Sequence, residues 1–146
     1  MLLDAHVFLD IARQEIVGNR HPAFAKLLNN HRLILNKRLK RHYSGVAYKL
    51  GESALRYIDS VENVAPIENV TPREFSSVGL DSRHRPAHSK DVFLAKMSIA
   101  ARRRHNDVIF ISEDDHLGDL SSTYQADYGI RIVTAADYIE HFCNNN

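Results

Sequence analysis

The chain lacks the features that mark secreted and membrane proteins. Its 146 residues include one cysteine, Cys143, so a disulfide framework is impossible, and this usage is typical of the reducing cytosol. No apolar run approaches the ~20 residues that a membrane-spanning helix needs. The first residues reach an acid at Asp4, too early for a signal peptide. The sequence therefore predicts a cytoplasmic protein with no membrane segment.

An excess of one charge is also missing. Lys and Arg total 19 against 18 Asp and Glu, a net charge of +1, which neither demands nor excludes nucleic acid because local patches matter more. A composition of 44% hydrophobic and 25% charged residues excludes a wholly disordered, collagen-like or coiled-coil chain. The length suits one domain with its own core. We predict a single domain over 1–143 and a frayed tail over 144–146.

Strand-type and helix-type apolar patterns alternate along most of the chain. Strands are predicted at residues 1–4, 33–35, 108–111 and 130–133. Helices are predicted near Val7–Ala12, from Pro22, over Lys37–Tyr57, from a cap at Thr71, from a cap at Ser89, over Leu117–Tyr128 and over Ala135–Phe142, with connections at Asp59–Pro66 and Gly79–Lys90. The alternation indicates an α/β domain with a mostly parallel sheet.

Three aspartates are predicted to meet at one edge of this sheet. Asp4 ends the first strand, Asp114 lies just beyond the 108–111 strand, and Asp91 lies in the first turn of the helix that leads into that strand. In an open parallel sheet, ligands bind beyond the carboxyl ends of the strands, and a helix leading into a parallel strand starts at that edge. Each acid alone also suits a helix cap, a first helical turn or an ordinary turn. Their joint position is what predicts a site.

Converging carboxylates predict a divalent cation, because without one they repel each other and some become protonated. Mg²⁺ and Mn²⁺ prefer oxygen ligands and keep several waters, so an open carboxylate cluster suits them. Such a cation activates water and neutralises charge on a phosphate. The predicted substrate class is a phosphodiester.

Four motifs in order resemble the PIN domain nucleases over nearly the whole chain. Leu2–Leu9 resembles the opening strand of that family with its first metal-binding Asp, and Lys90–Ala100 resembles its Asp-led helix. Val108–Asp114 resembles its strand ending in Thr or Ser, any residue, Asp. Gly129–Ile139 is similar to its closing strand and helix.

The resemblance implies a three-layer α/β/α sandwich around a mostly parallel sheet, and Mg²⁺- or Mn²⁺-dependent endonucleolytic hydrolysis of single-stranded or structured RNA. It implies that Asp4, Asp91 and Asp114 are the metal-binding and catalytic acids, and that Ser112 supports Asp114 by a hydrogen bond. Many small PIN domains are VapC-type toxins of toxin–antitoxin pairs, and many form homodimers. An antitoxin protein and a second copy of the chain are therefore the implied protein partners.

Histidines stand at three positions where the family usually has other residues. His42 stands where a Glu is usual, His6 where Asn is common, and His116 where a further acid is often seen. Imidazole ligands favour Mn²⁺, Zn²⁺ or other transition metals over Mg²⁺, and a histidine near neutral pH can act as an acid or base. The competing interpretation is a weakened PIN scaffold that binds nucleic acid or protein. Asp115 is the expected substitute for the missing Glu.

Basic residues flank the predicted acidic edge in two groups. Such cations hold a nucleic acid backbone with an affinity that falls as salt rises. The predicted nucleic-acid-binding residues are Arg83, Arg85 and Lys90, just before Asp91, and Lys37, Lys40 and Arg41 at the start of the helix that carries His42.

Two other enzyme classes share a parallel α/β sheet with acids at its edge. A receiver-type phosphoacceptor domain needs a paired acid after the first strand and a Lys after the penultimate strand, and neither is found. A haloacid-dehalogenase-like phosphatase needs two acids one residue apart near its start, whereas Asp4-Ala5-His6 offers one. Both classes rank below a nuclease.

Overall fold

The computed structural model describes residues 1–16, 18, 31–48, 51–64 and 66–143. Its strands are β1 (Leu2–Leu3), β2 (Leu33–Leu35), β3 (Ile67–Asn69), β4 (Val108–Ile111) and β5 (Ile130–Val133). Its helices are α1 (Ala5–Ile16), α2 (Lys37–Ala47), α3 (Glu52–Val64), α4 (Pro72–Ser76), α5 (Ser89–Arg102), α6 (Asp115–Asp119), α7 (Ser121–Tyr128) and α8 (Ala135–Tyr138), the last continued by a π-helical turn, Ile139–Cys143.

All strand pairs in these ranges are parallel. β4 lies between β1 and β5, with Leu2 opposite Phe110 and Phe110 opposite Ile132. β2 pairs with β3, and Met1 connects the two groups: its amino nitrogen donates to Arg32 O at 2.7 Å and its carbonyl accepts from Ile34 N at 2.8 Å. The structure therefore has a three-stranded sheet, β1-β4-β5, and a two-stranded sheet, β2-β3, which lies against the β1 side through these two Met1 hydrogen bonds. The predicted α/β class with a parallel sheet is confirmed.

The sheet forms the centre of the hydrophobic core. Every residue of β1, β2 and β4 is buried, and these strands are continuous apolar runs, as expected where helices cover both faces. Crossover connections between parallel strands are right-handed. Connections that lead away from β1 in opposite directions therefore cover opposite faces of the sheet. The arrangement is compatible with three α/β/α layers. In the described part of the chain, no helix is long and apolar enough to cross a membrane.

Several predicted boundaries are wrong. The helix expected over Lys37–Tyr57 is divided into α2 and α3 before Gly51, whose φ of 92° is left-handed and incompatible with a continuous helix. The connection expected over Asp59–Pro66 is mostly the second half of α3. β3 was not predicted, because its sequence Ile-Glu-Asn has one apolar residue and it lies at the edge of the sheet. The helix expected from Pro22 lies outside the described residues.

The predicted caps are mostly confirmed. Thr71 and Glu74 form a reciprocal capping box with Pro72 at the start of α4, and the Thr134 side chain caps α8. Ser89 is not a cap, because α5 already begins at that residue and His88 precedes it without a side-chain cap bond. The helix predicted over Leu117–Tyr128 is two helices, α6 and α7, that meet at Leu120.

Replacing Gly129 by alanine is expected to destabilise the protein by about 1–2 kcal/mol, the cost of a left-handed conformation for a residue with a Cβ. Gly129 ends α7 at φ 70°, and a Cβ there would lie 3.0 Å from the Arg102 guanidinium. Thermal unfolding measures the loss. The control is Gly45→Ala inside α2, where nothing lies within 4 Å of the added atom and stability should rise slightly. An unchanged midpoint for Gly129→Ala would contradict this prediction.

Candidate acidic site at the carboxyl edge of the sheet

The carboxyl ends of the paired strands β1 and β4 meet at one edge of the sheet. From β1 the chain leads to the β2-β3 sheet, joined to β1 through Met1, and then returns to β4 and β5 on the other side, so the β1–β4 boundary corresponds to a topological switch point. Ligands of open parallel sheets bind at this point, beyond the carboxyl ends of the strands. Asp4 directly follows β1, and Ser112 directly follows β4.

The Ser112 hydroxyl connects the two strand ends. It donates to Asp4 Oδ2 at 2.7 Å and accepts from the Asp114 backbone N–H at 3.1 Å. The other Asp4 oxygen, Oδ1, accepts from Ala5 N at 2.7 Å. Ser112 was expected to support Asp114 by a hydrogen bond. It accepts one from the Asp114 backbone N–H, while its own hydroxyl donates to the Asp4 carboxylate. The Asp114 side chain caps α6 by accepting from His116 N at 2.8 Å.

Asp91 is the most buried of the three predicted acids. Its exposed fraction is 0%, and neither carboxylate oxygen has a hydrogen-bond partner among the residues described. Its backbone N–H is satisfied by His88 O at 3.0 Å, at the start of α5. A buried carboxylate without a donor is costly, so such a group needs a reason to be retained.

The charges of the other two predicted acids act on Asp91. Burial raises the pKa of Asp91, and the negative charges of Asp4 and Asp114 raise it further, against smaller opposing effects of Lys90 and His88. A divalent cation would supply the missing partner of both Asp91 oxygens and offset the repulsion between the three groups. The all-oxygen donor set fits Mg²⁺ or Mn²⁺.

Three histidines, His6, His42 and His116, were expected at the acidic edge, and this remains a prediction. Burial lowers the pKa of His42; the charge of Asp4 raises it, and the charges of Lys90 and His6 lower it. His116 contacts His88 edge to face, with ring centroids 5.2 Å apart. His88 was missed as a site residue, although its position three residues before Asp91 was a usable signal.

Tyr43 holds α2 against the site. Its hydroxyl donates to Leu3 O at 2.5 Å, next to Asp4, and its ring stacks on Phe8 with centroids 4.2 Å apart and planes 4° apart. From the sequence Tyr43 was one of several apolar stripe residues, and nothing in its spacing indicated this contact. The consequence is that α2 crosses the rim of the acidic site.

The predicted basic residues divide into two groups. Arg83 pairs with Asp127 at 2.6 Å, and Lys40 lies 3.9 Å from Asp59. His84, buried below Arg83, also binds Asp127, and this hydrogen bond lowers the pKa of Asp127. These contacts fix the loop before α5. The other four cations, Lys37, Arg41, Arg85 and Lys90, are exposed and have no ion-pair partner in the described ranges.

A cleft of about 400 Å³ extends from Asp114 towards α8. The acids that line it are Glu113, Asp114, Asp115, Asp119 and Asp137. Asp115 is exposed here, one residue from Asp114. Beside the cleft, ligand atoms of Asp137, Glu140 and His141 lie within 4.8 Å of one another. All three side chains are exposed, and their closeness follows from their spacing of three and four residues along the helix. We therefore assign them no ion.

Comparisons with protein-family models, curated proteins and solved structures found no match for this chain.

Proposed function

We propose that this chain is a PIN-type, divalent-metal-dependent endoribonuclease that hydrolyses phosphodiester bonds in RNA at the Asp4–Asp91–Asp114 site. The observation that carries the proposal is Asp91, fully buried beside two other acids with both oxygens unpartnered among the described residues. The switch-point position of Asp4 and Asp114 adds a second, independent argument from topology. The PIN-like fold belongs to the same proposal.

The chain's own residues have distinct tasks in this proposal. Asp4, Asp91 and Asp114 hold the cation, and Ser112 orients Asp4 through its hydroxyl. When bound, Mg²⁺ or Mn²⁺ supplies charge neutralisation on the phosphate and a more acidic water. Lys90, exposed beside Asp91, is suited to hold the phosphodiester backbone against the acidic edge. Asp115, exposed and one residue after Asp114, takes the place of the family's missing Glu.

The test is cleavage of an end-labelled single-stranded RNA in Mg²⁺, Mn²⁺ or EDTA. We expect metal-dependent cutting by the parent and a loss of at least ~100-fold in Asp4→Asn, because one metal-binding oxygen pair contributes several kcal/mol to transition-state stabilisation. The matched control is Asp10→Asn, six residues further along α1 with a side chain 62% exposed. Folded parent protein that cuts in no metal, or an Asp4→Asn protein that cuts normally, would refute the nuclease.

The second candidate is a weakened PIN scaffold that binds nucleic acid or protein. The observation that favours it is His42, whose pKa responds to the charge of Asp4 and which stands where the resemblance implies a Glu. An imidazole has no negative charge to add to a cation site. Metal affinity separates the candidates: millimolar or tighter Mg²⁺ or Mn²⁺ binding lost in Asp91→Asn favours the nuclease, and no binding favours the scaffold.

A role as the toxin of a toxin–antitoxin pair, with an antitoxin as partner and a homodimer as the working form, is part of the same proposal. It rests on the sequence resemblance alone. Co-expression with the product of a neighbouring gene and size-exclusion chromatography of the purified chain test the two partnerships.

A further inference from the structure

The near-zero net charge hides a strong separation along the chain. Residues 16–51 contain eight Lys and Arg and no Asp or Glu. The rest of the chain contains eleven Lys and Arg against eighteen Asp and Glu. One continuous segment is therefore strongly basic, and α2 is its described helix.

One face of α2 is basic and open to solvent. Leu39, Tyr43 and Ala47 are buried on the inner face. The outer face carries Lys37, Arg41, Gly45 and Tyr48, all exposed and spaced by four, four and three residues. Spacings of three and four align side chains along one side of a helix. We call these four residues the α2 stripe.

Tyr48 ends the stripe with an exposed aromatic ring. Its backbone, at φ −51° and ψ −39°, continues the helix, so its direction follows that of Arg41 seven residues earlier. It is 75% exposed, the only large hydrophobic side chain in the described ranges that is so accessible. An exposed ring next to cations is the combination with which proteins hold single-stranded nucleic acid, phosphates on the cations and a base on the ring.

The α2 stripe adjoins the acidic site. Tyr43 fixes α2 to Leu3, the residue before Asp4, and the charges of Asp4 and Lys90 act on the pKa of His42, the residue after Arg41. Lys37 and Tyr48 are about 16 Å apart along the helix axis, from the standard rise per residue. Because the stripe lies on the opposite face of α2 from Tyr43, a strand bound there would be one helix diameter, about 10 Å, from Leu3 and Asp4.

We propose that the α2 stripe binds single-stranded RNA, with Lys37 and Arg41 on backbone phosphates and a base stacked on Tyr48. The choice of RNA rests on the proposed function. An anionic membrane would meet the same charges, but one exposed ring offers little apolar area to bury in a bilayer, whereas one ring is enough to stack on a base.

The test is fluorescence anisotropy of a labelled unstructured RNA with the full chain in EDTA, where no metal-dependent cutting occurs. Tyr48→Ala should weaken binding about tenfold, within the range for one stacked base, and Tyr48→Phe should retain it. Arg41→Ala should reduce the slope of log affinity against log salt by about 0.7, the value for one phosphate on a single strand. Arg103→Ala, at the far end of α5 with its side chain on Ser77, is the charge-matched control and should change neither.

Duplex RNA of the same length should bind without dependence on Tyr48, because its bases are not free to stack on a ring. Unchanged RNA binding in both Tyr48→Ala and Arg41→Ala would overturn the proposal. The proposal would also be overturned if these two variants lost affinity for phosphatidylserine vesicles and not for RNA. Cleavage that persists without stripe-dependent binding counts against the stripe alone. Stripe-dependent binding without metal-dependent cleavage counts against the nuclease alone.

Discussion

The Asp91→Asn protein is expected to melt at a higher temperature than the parent in EDTA at pH 7. Removal of a fully buried side-chain group normally destabilises, but here the parent buries a charge without a donor beside Asp4 and Asp114. The amide of asparagine has nearly the same shape, has no charge and carries N–H donors that a carboxylate lacks. A gain of about 1 kcal/mol, or about 2–4 °C for a domain of this size, is expected in calorimetry.

The pH dependence of the Asp91 effect has a definite sign. Because the folded pKa of Asp91 is raised above its unfolded value, its contribution to stability is fully present below the unfolded pKa. It is lost as pH rises through the folded pKa. The difference in melting temperature between parent and variant should therefore be largest at neutral pH. It should shrink as the pH is lowered through the folded pKa of Asp91 towards its unfolded pKa.

Divalent metal should reverse the order of the melting temperatures, so that the parent melts higher than Asp91→Asn. Mg²⁺ or Mn²⁺ that binds the folded parent raises its melting temperature with concentration, whereas Asp91→Asn should gain little. Asp59→Asn, with a side chain 78% exposed on α3, is the control for general loss of a negative charge. A variant that melts lower than the parent in EDTA, or gains equally from metal, would contradict this account of Asp91.

Phe8→Ala is expected to cost about 3–5 kcal/mol of unfolding free energy, the largest stability loss that we predict. Phe8 is 0% exposed and lies in parallel contact with the Tyr43 ring at 4.2 Å. Its loss leaves a cavity between α1 and α2 and removes the stack as well as buried apolar area. Urea unfolding followed by circular dichroism measures the change.

Tyr43→Phe is the matched companion of Phe8→Ala. It keeps the ring stack and removes only the hydroxyl that donates to Leu3 O. A loss of about 1 kcal/mol is typical of one hydrogen bond, so this variant separates the bond from the packing. A cost below ~1 kcal/mol for Phe8→Ala would mean that the helices collapse into the space, against the prediction.

The sequence predicted the parts of the site that depend on short, continuous patterns. Asp4 was singled out because it ends an apolar run and Asp114 because it follows one within three residues, and their shared edge follows from parallel strands alone. The missed strand, β3, contains Glu68 and Asn69 in place of an apolar run, because an edge strand is buried less. The undivided helix over α2 and α3 failed at Gly51, where one left-handed residue overrides the periodicity on both sides.

Side-chain partners within the site could not be predicted from spacing. Helical and strand periodicity place Ser112 and Asp91 at an edge of the sheet. They do not indicate which atom accepts the hydrogen bond from the Ser112 hydroxyl or how deeply Asp91 is buried. Those outcomes depend on how two strand ends and the start of α5 pack together in three dimensions. The contact of His88 with His116 is of the same kind, because it joins the starts of two helices distant in sequence.

The contact between Ser112 and Asp4 joins residues 108 positions apart in the chain. Contacts of such long range form late, because most of the chain must be ordered before the entropy of closing so large a loop is offset. During synthesis, the Asp4 carboxylate therefore has no serine partner until β4 and Ser112 have been made and have paired with β1. A partly made chain has the basic helix α2 but no assembled acidic crevice. If the chain cuts RNA, it acquires that ability only after about four fifths of it has left the ribosome.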